Sequence, residues 1–533
     1  MTLPQTWTNY LGLSYRTPPE LFQSLDEVVD VPHAGALRDC FSKLGLSAVF
    51  CVQNVPTVAL LVQDTYDQSI VTETHAALWN QGLASLFLVI SDDTLRVFSL
   101  VRRTAKDSDE EFIKRCLIET LNATSDALAL KGLISGAESG RLWESHSEFF
   151  PSQERVDNVL LNNLSESYRR LCDKGLSSDA SQALLMQTMF VSYLEDRGII
   201  TPEYILEKTN NAVSNFGEVL SSGKPQLLNE LFDALRFNFN GNLFVAPCSF
   251  EQTQKVPILN DQHLSILARF QLGKEEMAGN TGQLRFWGYD FKYIPVELIS
   301  AVYDRFLGEN ESERRKLGAY YTPMFLADTV ISQIWDTLTP AIKDKGTFLD
   351  PACGSGVFLV RMFQRLCDHW RATHNNQKIR WDSLLNILKR FYGWDVNGHA
   401  VRVTVFSLYI ALLEQVDPRD FTTLTKKERL LPELWGKTFV ECDFFDNTED
   451  DQTFDVILGN PPWASRHGAD STAERWCNES GFPIPSKEAA WGFTWKALSH
   501  ITSNGLVAFL LPAMGFLHNH SNKGSSLHHV GKP

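Results

Sequence analysis

The sequence has no apolar run near the roughly 18 to 20 residues that a membrane-crossing helix needs. Its opening, MTLPQTWTNY, has neither the basic start nor the apolar stretch of a secretory leader. Both absences make a cytoplasmic chain the expectation. The nine cysteines are scattered, with no CxxC pair and no Cys/His group at zinc spacing, so neither a disulfide framework nor a structural metal is expected. A basic excess is also missing: 49 Lys and Arg face 64 Asp and Glu, for a net charge of -15. That argues against a chain clamping nucleic acid over its whole surface, but leaves room for a local cationic strip facing phosphates. There is no tandem repeat and no low-complexity tract.

What is present is ordinary globular composition, 44% hydrophobic and 21% charged, over 533 residues. That is too long for one core and points to two or three domains. Residues 1–150 read as an α+β domain: AVFCVQ with TVALLVQ, and LASLFLVIS with LRVFSL, form candidate hairpins across NVP and DDT, and THAALWNQG between them is a short helix closed by Gly82. Residues 151–313 read as mainly helical. In ASQALLMQTMFVSYLEDRGII, Leu185, Met186, Met189, Phe190 and Tyr193 form a buried stripe at helical spacing. From 314 to 515 strands, a Gly-rich turn and helices alternate, the pattern of a doubly wound, Rossmann-like α/β sheet. Residues 516–533 are a polar tail whose His518, His520, His528 and His529 are read as solvated rather than as a metal site.

The strongest local signal is FLDPACGSGVFLVRMF. A strand ends in Asp350, and Pro351, Ala352, Cys353, Gly354, Ser355 and Gly356 form a turn that opens an apolar helix. A dinucleotide site favours GxGxxG and a phosphate site favours GxxxxGK[ST], and this turn is neither. A cationic ligand with an amino acid end, such as S-adenosylmethionine, suits carboxylates and carbonyls better than a cationic cradle. The next strand, FYGWDVN, ends in Asp395, placed to hold ribose hydroxyls. The third, KTFVECDFFD, ends near Asp443, an acceptor for an adenine amino group, with Phe444 against the ring. A single strand-terminal Asp is more commonly a helix cap; three in successive β–α units after such a turn favour ligand contacts. Upstream, in LGAYYTPMFLADTVI, Tyr321, Thr322 and Pro323 precede a helix, with Thr as its N-cap and Pro at its first position as the plain alternative.

The fourth strand, FDVILG, runs into Asn460, Pro461, Pro462 and Trp463. The plain reading of NPP is a rigid turn; beside a ligand crevice, rigidity is itself useful. The Asn460 side-chain oxygen and the Pro461 carbonyl are suited to accept hydrogen bonds from an exocyclic amine, and Trp463 to stack on an extruded base.

DPACGSG resembles methyltransferase motif I, YYTP motif X, and NPPW the [DNS]PP[YFW] motif IV. In the order X, I, IV behind a long N-terminal extension, they resemble the gamma-type N6-adenine DNA methyltransferases of restriction-modification and phage-defence systems. The resemblance covers roughly residues 155 to 515 and is strongest from 317 to 463. It implies S-adenosylmethionine as cofactor and double-stranded DNA with a flipped adenine as substrate, and it leaves room for a separate specificity or nuclease subunit as partner. It implies that motif X closes over the methionine end of the cofactor. NPPY-like motifs also occur in enzymes acting on RNA or protein, so the RNA and protein alternatives stay open, as does a non-catalytic remnant. The N-terminal region resembles the place of a PD-(D/E)xK nuclease; Asp64 and Glu73 are candidate ligands, but no ExK follows on the next strand, so a degenerate or structural module is expected. The sequence turns polar after NGLVAFLLP, where the family continues into a recognition domain, so a fragment, a frameshifted product or a subunit is expected.

Overall fold

This computed structural model describes residues 2–102, 109–239, 259–271, 290–307, 322–416, 420, 430–446, 452–463, 472–484 and 488–513. The chain divides into two compact units, Met1–Leu298 with Pro418–Leu430, and Ile299–Asp417 with Leu431–Pro533.

In the first unit β1 (Leu21–Phe22), β2 (Ala48–Val52), β3 (Val55–Gln63), β4 (Leu86–Ser91), β5 (Thr94–Ser99) and β6 (Leu117–Asn122) form one sheet in that order. Only β3 and β4 are parallel, joined by the helix Gln68–Gln81; the other pairs are antiparallel. The β2–β3 turn sits at Gln53 and Asn54, both with positive φ (50° and 68°), which matches the twist of a tight hairpin. The connecting helix starts at Asp67, whose carboxylate accepts from the Ser69 and Ile70 amides, and stops at Gly82 with φ 68°. Strand β4 is buried on both faces: Leu86, Leu88 and Ile90 enter one core while Phe87 and Val89 enter the other. Asp64 and Glu73 are exposed, and β2 and β3 contain no acidic or basic residue. Among the described residues no three His, Cys, Asp or Glu side chains are grouped to hold a metal ion.

Helices follow in the same unit, among them Val156–Asp173, Ser178–Asp196, Pro225–Phe239 and Asp261–Gln271. Leu185, Met186, Met189, Phe190 and Tyr193 are all buried in the second of these.

The second unit is built on a fully parallel sheet of β7 (Phe348–Asp350), β8 (Phe391–Asp395), β9 (Phe439–Glu441), β10 (Phe454–Gly459) and β11 (Ile501–Phe509), in spatial order β11-β10-β7-β8-β9. Short strands with both faces covered are what a parallel sheet requires. On one face Phe348 stacks on Phe391, which meets Phe363 of the helix Val357–Thr373. On the other, Leu349, Trp394 and Ile457 share a core with Phe444 and Phe493. The chain passes from β7 outward through β8 to β9, then returns to the opposite side of β7 as β10. Order therefore reverses between β7 and β10, and a crevice at the carboxyl ends of those strands is the expected ligand position. No described helix is long and apolar enough to cross a membrane.

Candidate active site

Three strand ends meet at this switch point. The Asp350 carboxyl, buried at the end of β7, accepts from the Ala352 amide (3.1 Å). Gly459 closes β10 with φ 155°, and a Cβ there would lie 2.4 Å from Asp350 Oδ1. Glycine at 459 thus lets β10 come against the carboxyl just before the chain enters Asn460. Burial pushes Asp350 up to about 8; the Ala352 amide opposes this and the neighbouring Asp395 adds to it.

Between β7 and the helix Val357–Thr373, Gly354 (φ 52°) and Gly356 (φ 85°) hold the turn in a left-handed conformation. Thr404, from the helix Gly398–Glu414, donates its hydroxyl hydrogen to the Gly354 carbonyl (2.7 Å) and packs where a Gly356 Cβ would sit, 2.7 Å from Thr404 Cγ2. Among the described residues a Cβ at Gly354 would meet nothing within 4 Å, so that side of the turn faces open space. Pro351 is buried and Ala352 half-buried, while Ser355 and Cys353 are buried. Burial raises the Cys353 thiol well above its ordinary value, in keeping with a packed residue rather than a nucleophile.

Asp395 ties the turn to the second loop. Its Oδ2 accepts from Gly354 N (2.9 Å) and its Oδ1 from Asn397 N (2.8 Å). Burial raises this carboxyl, against the pull of those two amides. Asn397 in turn caps the helix Gly398–Glu414 through the His399 and Ala400 amides. Beside it Val396 is 59% exposed, an apolar side chain left open next to the crevice.

Asp443 lies beyond β9, where its carboxylate accepts from the Phe445 amide (2.9 Å) and the Thr472 hydroxyl (2.7 Å). Phe444 is buried, packed on Trp394, Phe445, Phe493 and His500.

At the end of β10 the Asn460 Nδ2 donates to Thr322 Oγ1 (3.0 Å), leaving Asn460 Oδ1 buried with no hydrogen-bond partner among the described residues. Pro461 is buried. Trp463 donates its indole N–H to the Leu510 carbonyl just past β11 (3.1 Å), which fixes the ring plane. Thr322 does not cap the following helix: the helix is Met324–Trp335, its N-cap position is Pro323, and no side chain bonds there. Its hydroxyl is instead directed at Asn460. Tyr321 and the four tail histidines lie outside the described residues.

Sequence patterns pointed to the strand-end carboxylates and to NPPW, but not to Thr404 or Val396. A threonine within the apolar run of VRVTVFSLY was the one available signal for the first; the second needs the fold.

Residues 296–529 match the family described as N-6 DNA Methylase. The chain is 25% identical over 222 residues to the type I restriction enzyme MjaIX methylase subunit of Methanocaldococcus jannaschii, covering 40% of this chain and 32% of that one. It is 25% identical over 229 residues to the type II restriction enzyme and methyltransferase RM.Eco57I of Escherichia coli (34% and 22%). With the type II methyltransferase M.VspI of Vibrio sp. it shares 24% identity over 224 residues (41% and 42%). It thus spans less than half the length of each of these relatives. Among solved structures, the type IIL restriction-modification enzyme MmeI in complex with DNA aligns with TM-score 0.46 and 17% identity over 66% of this chain and 50% of that one. The motif-bearing segment, residues 296–529, is thus similar to the N-6 DNA Methylase family.

Proposed function

We propose that this chain methylates adenine at N6 in DNA, with S-adenosylmethionine as donor, in a restriction-modification or phage-defence system. The observation that carries the proposal is the buried, partnerless Asn460 Oδ1 at the end of β10. A buried acceptor without a partner is costly unless a donor arrives, and an exocyclic amine is such a donor. The relatives support adenine as the target base, since one of them is an adenine-specific methyltransferase of Streptomyces coelicolor, and the N-6 DNA Methylase family matched over residues 296–529 supports DNA as its carrier.

The cofactor suits the residues present. The turn from Asp350 to Gly356 carries no cationic side chain, its Gly354 face is open, and Asp350 and Asp395 supply carboxylates to a positively charged ligand. When bound, S-adenosylmethionine supplies an electrophilic methyl group on a cationic sulfur. Asn460 Oδ1 and the Pro461 carbonyl would accept hydrogen bonds from the two N6–H groups, which favours a lone pair localised on nitrogen and aimed along the line of transfer, and one of those protons leaves to water once the methyl is on nitrogen. Trp463, with its indole anchored, stacks on an adenine drawn out of the duplex. Val396, exposed beside Asp395, would pack against an apolar part of the bound cofactor.

Tritiated methyl transfer to unmodified DNA tests the proposal, with cofactor binding followed by calorimetry. Asn460→Ala is expected to slow transfer roughly 10²- to 10³-fold while cofactor affinity holds. An unchanged rate, or methyl groups on RNA or protein and none on DNA, refutes it. A relative named as a methylase subunit also supports a reading in which a separate specificity subunit delivers the DNA; transfer that begins only when that subunit is added is the expected result in that case.

A further inference from the structure

Thr322 and Asn460 are 138 residues apart in sequence, yet one hydrogen bond joins them in the candidate site. A primary amide has two unlike ends, a carbonyl that accepts and an NH2 that donates. The Cβ–Cγ torsion of asparagine is broad and roughly two-fold, so without a partner it presents either end at similar cost. Only one end suits an amine: the carbonyl attracts N6 hydrogens, whereas the NH2 opposes donor to donor. The Thr322 hydroxyl oxygen occupies the NH2 end. The carbonyl end is then the one left buried and open.

We propose that Thr322 is a positioning residue that sets the polarity of the Asn460 amide, so that an acceptor always faces the target amine. The proposal rests on the reading that Asn460 Oδ1 receives N6 hydrogens. It differs from a role for this threonine in holding cofactor, and its backbone setting supports the distinction. Pro323 takes the N-cap position of the helix Met324–Trp335, and Thr322 itself is buried rather than facing the open side of the glycine turn.

Thr322→Val keeps the shape and removes the hydroxyl; Thr322→Ser keeps the hydroxyl. Single-turnover methyl transfer to DNA is expected to fall roughly tenfold or more in Thr322→Val, the scale of one lost buried hydrogen bond, with Thr322→Ser restoring most of the rate. Cofactor affinity by calorimetry should stay within about twofold in both, because the change lies at the amine-facing end of the site. The side-chain NH2 resonance of Asn460, identified by its loss in Asn460→Ala, should move in Thr322→Val and return in Thr322→Ser, in samples without DNA.

A Thr322→Val protein as fast as the parent, while Asn460→Ala is slow, overturns the positioning role and leaves the function standing. If Asn460→Ala is as fast as the parent, the function itself falls. Loosened cofactor binding in Thr322→Val overturns the proposal in favour of a cofactor contact. An Asn460 resonance unmoved by Thr322→Val overturns it even in a preparation that transfers no methyl group.

Discussion

Gly354 and Gly356 share a turn and a left-handed backbone, yet alanine should act differently at the two positions. An L-residue in this conformation costs about 1–2 kcal/mol relative to glycine, and that cost applies to both, since φ is 52° at one and 85° at the other. At Gly356 the new methyl must also share space with Thr404, whose Cγ2 lies 2.7 Å and Oγ1 3.0 Å from the Cβ position. Overpacking of this kind typically costs about 1–3 kcal/mol. At Gly354 nothing lies within 4 Å. Gly356→Ala should therefore be less stable than Gly354→Ala by about 1–3 kcal/mol, or roughly 2–12 °C in Tm for a domain of this size. Gly354→Ala places its methyl where the ligand is proposed to lie, so it should keep most of its stability and lose cofactor affinity. Thermal unfolding and calorimetric titration of the same preparations provide both numbers. Thr404→Ser removes the Cγ2 methyl and should recover part of the loss in the Gly356→Ala background. Equal melting temperatures for the two single variants would refute the packing argument; unchanged affinity in Gly354→Ala would remove the open face of the turn from the cofactor site.

Two expectations concern pH. Burial pushes Asp350 up to about 8, so near neutral pH the site favours its protonated form. A cationic ligand favours its ionised form, so binding releases a proton, and affinity should rise by up to about tenfold per pH unit below about 8 and level off above. Calorimetry across that range checks this, and Asp350→Asn should flatten the dependence; a wild-type profile already flat below pH 8 would refute it. In the first unit, burial lowers His75 to about 4 from an ordinary 6.5, although its Nε2 bonds the Ser99 carbonyl. The unfolded chain binds that proton more readily, so this stabilising contribution is complete above about 6.5 and declines as pH falls toward 4, by an amount on the order of 3 kcal/mol. Urea unfolding of wild type and His75→Gln at about pH 7 and about pH 4.5 should show the smaller acid loss in the variant; identical losses would show that His75 is not responsible.

Much of the second unit can be read from sequence because three of its parallel strands are short, largely apolar runs that end at an aspartate or a glycine. FLD, FYGWD and FDVILG coincide with β7, β8 and β10. The two hairpins of the first unit are equally readable, since each turn includes an Asn or Asp with positive φ, Asn54 in one and Asp92 in the other. The two-residue β1 carries too little periodicity to detect. Side-chain direction is harder. Sequence places Phe444 against a ligand ring, and the structure packs it on Trp394 and Phe493; the face an aromatic takes just beyond a three-residue strand depends on register and on distant partners. The Thr322 contact is invisible in sequence for the same reason, because a helix start and an Asn-to-Thr bond place similar demands on one residue. Only the packing of the 322–335 segment distinguishes them.

The double acceptance by Asp395 bears on how a ligand is received. One carboxylate holds the loop after β7 through Gly354 and the loop after β8 through Asn397, so the walls on either side are tied together by the protein's own hydrogen bonds. A molecule entering there loses its own freedom but does not have to freeze the protein's, and affinity from few contacts goes further in such a rigid receptor. Loss of that carboxylate would leave two independent flaps, and the penalty would appear as unfavourable binding entropy before any contact to a ribose was missed.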